Sequence, residues 1–338
     1  MAPQGGRQVG GSSGEDKYKD APDAKHLLDI IGKDVHDKVK EEAEKRSNGD
    51  LKGSLSLAKV SGVELAGTLD PCSSDYTTHF DASGKRYPCG NGSASEKRFS
   101  KERVDEYDNK KMKCSYGSNG KNEGACAPFR RLHLCDKNME NISDYDSSKA
   151  KHNLLLDVCM AANYEAQSLI NYREQYEVQY PSSVSTFTMC TMLARSFADI
   201  GDIVRGKDLY LGNKKKKQNG KETEREKLEN NLKTIFGKIY EGLTTANGAK
   251  EYYQDKNGGN FFKLREDWWT ANRETVWKAI TCDAPGDASY FHATCDSGDG
   301  RGGAQANHKC RCDGANVVPT YFDYVPQFLR WFEEWAED

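Results

Sequence analysis

Cys190-Thr-Met-Leu-Ala-Arg-Ser-Phe-Ala-Asp-Ile-Gly-Asp-Ile-Val-Arg-Gly206 is the stretch on which the fold turns. Cys190, Leu193, Phe197, Ile200 and Val204 recur at helical spacing and make one apolar face. Beside that face stand Arg195, Asp199, Asp202 and Arg205, with Arg195 and Asp199 spaced for an i,i+4 ion pair. Such charges could form a recognition patch, but a salt-bridged seam between helices explains them better.

The habit continues on both sides. In residues 152–180, Leu155, Cys159, Ala162, Ala166, Leu169, Tyr176 and Tyr180 share a face, and Pro181 ends the run. Leu228, Leu232, Ile235, Phe236 and Ile239 do the same in 222–243. Residues 261–281 carry two stripes, Phe261, Leu264, Trp268 and Ala271 on one side and Trp269, Val276 and Ile280 on the other. A helix apolar on two sides belongs at the centre of its bundle. A last helix starts near Pro326 and carries Phe328, Leu329, Trp331, Phe332 and Trp335. Near the other end, Leu28, Ile31, Val35 and Val39 form a narrow stripe over 23–46, which Ser47-Asn48-Gly49 stops. That helix is expected to dock on something larger through those four residues. Residues 1–22 read as a disordered Gly/Ser/Gln-rich tail, and 50–150 as loop with short helical pieces. Long helices, long loops and no convincing strands predict an all-α bundle. The expected units are an N-terminal segment over 1–65, a loop-rich unit over 66–150 and a helical bundle over 151–338.

Composition narrows the class. Of 338 residues only 36% are hydrophobic and 30% are charged, with a net charge of -3. Binding by charge must therefore come from local patches. The eleven cysteines are more telling, because Cys72, Cys89, Cys114, Cys126 and Cys135 fall where apolar periodicity is absent. A stretch that cannot bury enough apolar surface is held by disulfides, which reduced cytosolic thiols would not provide. The odd count leaves one cysteine free or partnered beyond Asp338. No apolar run approaches the ~18 residues of a membrane span, and no signal-peptide core follows Met1. An oxidised domain without its own signal points to a fragment, or to export by another route.

No constellation for chemistry assembles. Gly10-Gly11-Ser12-Ser13-Gly14 matches the hydrolase elbow by spacing but lacks the flanking strand and helix. His308, Cys310 and Cys312, with His292 and Cys295, could be read as zinc ligands, but the CxxC spacing is missing and disulfides fit better. Asp296-Ser297-Gly298-Asp299-Gly300 lacks the closing glutamate of a calcium loop. No HExxH pair and no phosphate-binding GxxxxGK[ST] loop occurs. The expectation is no catalysis, no metal and no cofactor.

Charge concentrates in one place. Between Arg205 and Lys238 there are eleven Lys and Arg against five Asp and Glu, a net of +6. At its core Lys214, Lys215, Lys216 and Lys217 lie between Gly212 and Gly220, with Lys221, Arg225 and Lys227 following. An exposed lysine loop attracts sulfated polysaccharide or phosphate, though it serves as readily as an ordinary solvated loop. A weaker basic stretch ends at Lys110, Lys111 and Lys113. Neither has interleaved aromatics or a known reading motif, which disfavours nucleic acid.

Five of these segments also resemble one family. Ala127-Pro-Phe-Arg-Arg-Leu-His-Leu-Cys135, Leu154-Leu-Leu-Asp-Val-Cys159, the 190–206 run, the tryptophan helix from Trp268 to Cys282 and the stretch from Pro319 to Trp335 are similar to motifs of Duffy-binding-like domains. The version resembles the alpha class at the head of the Plasmodium falciparum erythrocyte membrane protein 1 family. Residues 1 to about 65, with Leu51-Lys-Gly-Ser-Leu-Ser56, resemble its N-terminal segment. The family continues into a third, cysteine-rich helical subdomain, which this chain lacks. The resemblance implies a disulfide-stapled helical bundle preceded by one docked helix, displayed outside the infected erythrocyte as part of a larger membrane-anchored protein. It also implies a disulfide between Cys190 and Cys282, for which buried free thiols are the alternative. Implied partners are erythrocyte receptors and glycans: heparan sulfate or heparin, blood-group A sugar and complement receptor 1. The expected function is adhesion by a monomeric, non-enzymatic head, with rosetting as its outcome. The rival is a variable spacer with no ligand of its own.

Overall fold

The computed structural model describes residues 16–60, 63–64, 70–79, 86–90, 113–114, 126–142, 146–179, 189–210, 222–244, 248–255, 258–295, 303–312 and 317–337. Six principal helices carry the fold: α1 (Ala24–Ser47), α2 (Ala150–Gln179), α3 (Met189–Arg205), α4 (Glu224–Glu241), α5 (Phe262–Ile280) and α6 (Gln327–Glu337). Among the described residues, strands are confined to three short antiparallel pairs, 59–60 with 63–64, 113–114 with 126–127, and 293–295 with 304–305.

Local chemistry sets the helix ends. Asp23 caps α1 by accepting from the His26 N–H at 2.9 Å, and Asn48, left-handed at φ 45°, donates its N–H to the Glu44 carbonyl. At α4 the Thr223 hydroxyl accepts from the Glu226 N–H, and the Glu226 carboxylate accepts from the Thr223 N–H, a reciprocal box.

Helix α5 packs against α1, α2, α3 and α4 and so occupies the centre that its two stripes predict. Trp268 and Trp269 are fully buried on it, Trp268 against Phe236 and Trp269 against Phe197. All of α3 is buried, its charged residues included. Gly201 lets that helix close on α5, because a Cβ there would stand 2.7 Å from the Trp269 ring.

The N-terminal helix packs against this core, but of the stripe expected to dock it Leu28 and Val39 are only half-buried and Ile31 and Val35 are exposed. Its buried residues are Asp29, Gly32, His36, Ala43 and Ser47, while Ile31 and Val35 are 39% and 40% exposed. The surface that receives α1 is a polar rim, which explains the inversion. The Asp29 carboxylate accepts from the Tyr290 and Thr320 hydroxyls and from the Tyr321 N–H at 2.8 Å, with His292 Nε2 at 2.9 Å. His36 lies among the Tyr321 and Tyr324 rings, and Arg46 donates two hydrogen bonds to Asp267. Gly32 is needed where the backbone carbonyl of Tyr321 comes too close for any Cβ.

Among the described residues, disulfides join Cys72 to Cys282, Cys89 to Cys135, Cys190 to Cys310 and Cys295 to Cys312. Cys126 is also disulfide-bonded and faces Cys114 in its ladder. The pairing of Cys190 with Cys282 is therefore corrected: both are bonded, but to other partners. The loop carrying Cys310 folds back over α5, where Trp277 Nε1 donates to the Cys310 carbonyl and the Cys310 N–H to that of Ala288. That brings Cys310 to the start of α3 and leaves Cys282, past the end of α5, to Cys72. Among the described residues Cys159 is a free thiol, buried on α2, where burial pushes its pKa well up. Cys295, Cys310 and Cys312 are thus engaged, and no cluster suited to a metal occurs among the described residues.

Candidate functional site

The lysine core of the basic stretch, Lys214 to Lys217 with Lys221, lies outside the described residues, as do Lys110 and Lys111. What is described is its mounting. Before the stretch, the buried Asp208 carboxylate accepts from Arg131 Nε at 3.1 Å, Gln327 Nε2 at 2.8 Å and Arg225 Nη1 at 2.9 Å. The Leu209 N–H donates to Gln327 Oε1 at 2.7 Å, and Tyr210 lies beneath the Arg131 guanidinium. After the stretch, the capping box fixes Thr223 at the head of α4. Asp208 and Arg225 therefore bind the two stems to each other.

This changes what Arg225 does. Its side chain is only 15% exposed and engaged by Asp208, so it ties α4 to Asp208 more than it faces outward. Lys227, exposed two residues further along α4, reaches Asn141 Oδ1 at 2.8 Å. Lys113 belongs to a separate ladder, opposite Ala127. The structure thus brings Arg225 and Lys227 to the base of the lysine stretch and puts Lys113 on another element.

The charges of α3 make the expected seam, with different partners. Arg195 pairs across helices with Glu333 of α6 at 2.9 Å, not with Asp199. Asp199 pairs with Arg130 and Arg330, each at 2.7 Å, and Asp202 with Arg330 and Arg205. Burial alone would raise the Asp199 carboxyl, but Arg130 and Arg330 hold it well below the usual range. For Asp202 burial wins over Arg330 and Arg205 and the carboxyl is raised. A seam so closed to solvent is a scaffold. The clamp role of Asp208 was missed from the sequence, although Asp208 and Arg225 both lie in the stretch already marked as basic, because Arg131 and Gln327 reach it from distant segments.

An open cavity of about 610 Å³ lies between α1, α5 and the start of α6, lined by Val35, Val39, Leu209, Tyr252 and Phe328 among others. No helix among the described residues is long and apolar enough to cross a membrane.

Residues 124–330 match the Duffy binding domain model, and residues 23–59 match the model of N-terminal segments of PfEMP1. No curated protein matches. Among solved structures, the NTS-DBL1-alpha and CIDR-gamma double domain of PfEMP1 from the Plasmodium falciparum varO strain is 35% identical with TM-score 0.70, over 93% of this chain and 43% of that one. The NTS-DBL1(alpha-1) domain from the same strain is 34% identical with TM-score 0.64, over 93% of this chain and 61% of that one. The PfEMP1 IT4var13 DBLbeta domain, solved bound to ICAM-1, is 27% identical with TM-score 0.64, over 91% of this chain and 65% of that one. The chain spans about half the length of the first two. An N-terminal segment docked on a helical bundle, with both parts matched in order, shows that this chain belongs to the Duffy-binding-like domains of PfEMP1, a family of receptor-binding adhesion modules and not of enzymes.

Proposed function

We propose that this chain is a host-cell adhesion head that binds erythrocyte surface receptors or glycans and so promotes rosetting and cytoadherence. It acts as a monomer on the outer face of the infected erythrocyte, within a larger membrane-anchored protein. Heparan sulfate or heparin is the leading ligand, held by Lys214–Lys217 and Lys221 with Lys227 at the base and Lys110, Lys111 and Lys113 secondary. The observation that supports this is the clamp between Asp208 and Arg225, which mounts a lysine-dense stretch on two fixed stems. A chain of net charge -3 attracts a polyanion where positive charge is concentrated, and here the local net is +6.

The test is heparin affinity of the wild type against a Lys214–Lys217→Ala variant of unchanged helicity. The variant should elute at lower salt, and wild-type retention should fall steeply with ionic strength, since the Debye length is only ~8 Å at physiological salt. Equal elution points would reject the loop as the site. Blood-group A sugar is uncharged, so its binding should survive both the substitution and the salt. Failure to bind any of these ligands, or complement receptor 1, would favour the variable spacer.

A further inference from the structure

One disulfide differs from the other described ones in its surroundings. Cys72 is solvent-exposed and Cys282 is 8% exposed, whereas Cys190 and Cys310 are fully buried and Cys295 and Cys312 are each 7% exposed. Cys89 is half-buried and bonded to the fully buried Cys135. Arg311 lies against the exposed bridge. Its Nη2 donates to Cys72 Sγ at 3.3 Å and stands 4.0 Å from Cys282 Sγ. Nε is anchored on Thr281 Oγ1 at 2.7 Å, and Nη2 also donates to the Lys278 carbonyl. Lys309 Nζ donates to the Cys282 carbonyl at 3.0 Å, and Lys278 pairs with Asp70 at 3.4 Å. The neighbouring Asp283 carboxylate is engaged by Gln167. Arg311 is thus the charged group in direct contact with the sulfurs.

We propose that Cys72–Cys282 is a thiol-exchange site that takes a small external thiolate such as glutathione. The thiolate attacks the exposed Cys72 Sγ, a new S–S bond forms there, and the Cys72–Cys282 bond breaks with its electron pair leaving on Cys282 Sγ. Cys72 is left as a mixed disulfide and Cys282 as a thiolate that takes a proton from water. A second glutathione thiolate attacks the glutathione sulfur of the mixed disulfide, releasing oxidised glutathione and the Cys72 thiolate. Charge in the transition state sits on the incoming and departing sulfurs, and a guanidinium touching the bridge stabilises both. Opening this bond removes the covalent tie between the turn at Pro71–Ser73 and the end of α5, leaving the Asp70–Lys278 pair. The other described disulfides hold the bundle meanwhile.

The experiment treats the oxidised chain with reduced glutathione, quenches with an alkylating agent and maps modified cysteines by peptide mass spectrometry. Cys72 and Cys282 should be modified about tenfold faster than Cys89, Cys135, Cys190, Cys310, Cys295 or Cys312. Arg311→Ala should slow exchange at Cys72 several-fold, and Arg311→Lys should restore part of the rate. Equal or earlier opening of Cys89–Cys135 or Cys295–Cys312 would overturn the proposal. So would an unchanged or faster rate in Arg311→Ala, which would make Arg311 merely a cap on the end of α5. The order of opening is read on the wild type, so the test stands even if the alanine variant does not fold.

Discussion

Helices α1 and α3 each carry an apolar stripe flanked by charge, and the fold treats them in opposite ways. In α3 the stripe is buried and its charges are buried with it, because α6 and the 129–132 turn supply Glu333, Arg330 and Arg130 as partners. In α1 the polar face docks and Ile31 and Val35 stay partly in solvent. A stripe tells which face goes inward when the receiving surface is apolar. Where that surface is lined by Tyr290, His292, Thr320 and Tyr321, a carboxylate fits better than a valine.

The largest effect should come from breaking the α3 seam. Asp199→Ala leaves Arg130 and Arg330 buried with one carboxylate fewer, and loss of one partner in a buried pair costs about 3–5 kcal/mol. Urea unfolding followed by circular dichroism should show it as a lower midpoint with an unchanged slope. A loss under about 1 kcal/mol would mean that water reaches the seam and screens it.

The next comparison sets two α1 substitutions against each other. Asp29→Ala strands several buried donors at once, at about 1–3 kcal/mol, and should open residues 24–47 to protease. Val35→Asp, at a position 40% exposed, should leave the cleavage pattern nearly unchanged. The opposite ranking would return the docking face to the apolar stripe.

The smallest effect is in pH. Burial lowers the pKa of His36 on α1, and that of His152 on α2 to about 4 from the ordinary 6.5. His152 Nδ1 accepts from the Ser54 N–H, so its neutral form is the bonded one. Because both folded values are depressed, the unfolded chain takes up protons first. The His152 contribution is complete above pH 6.5 and drains as pH falls toward 4, by roughly 1 kcal/mol after allowing for solvent, and that of His36 is lost in the same direction. Thermal melts across that window should fall for the wild type and flatten in His152→Gln. Protease sensitivity of 24–47 appearing over the same window would assign part of the loss to His36 and α1.

Much of this was legible in the sequence. The periods of Leu228, Leu232, Ile235, Phe236 and Ile239, and the double stripe of α5, marked helices whose ends the structure moves by a residue or two. The three short strand pairs were not legible, since two residues carry no period. The density of lysine between Arg205 and Lys238 was plain, but the clamp from Asp208 to Arg225 joins residues 17 apart, on either side of the lysine core.

The sequence by itself determined the helices, the central place of α5, the oxidised character of the loops and the family. Tertiary structure decided which partner each charge and each cysteine takes. Periodicity is a local property of one chain segment, so it survives in the sequence. Pairing depends on which distant segment arrives opposite, as Cys310 does at Cys190 and Glu333 at Arg195, and no spacing along the chain encodes that.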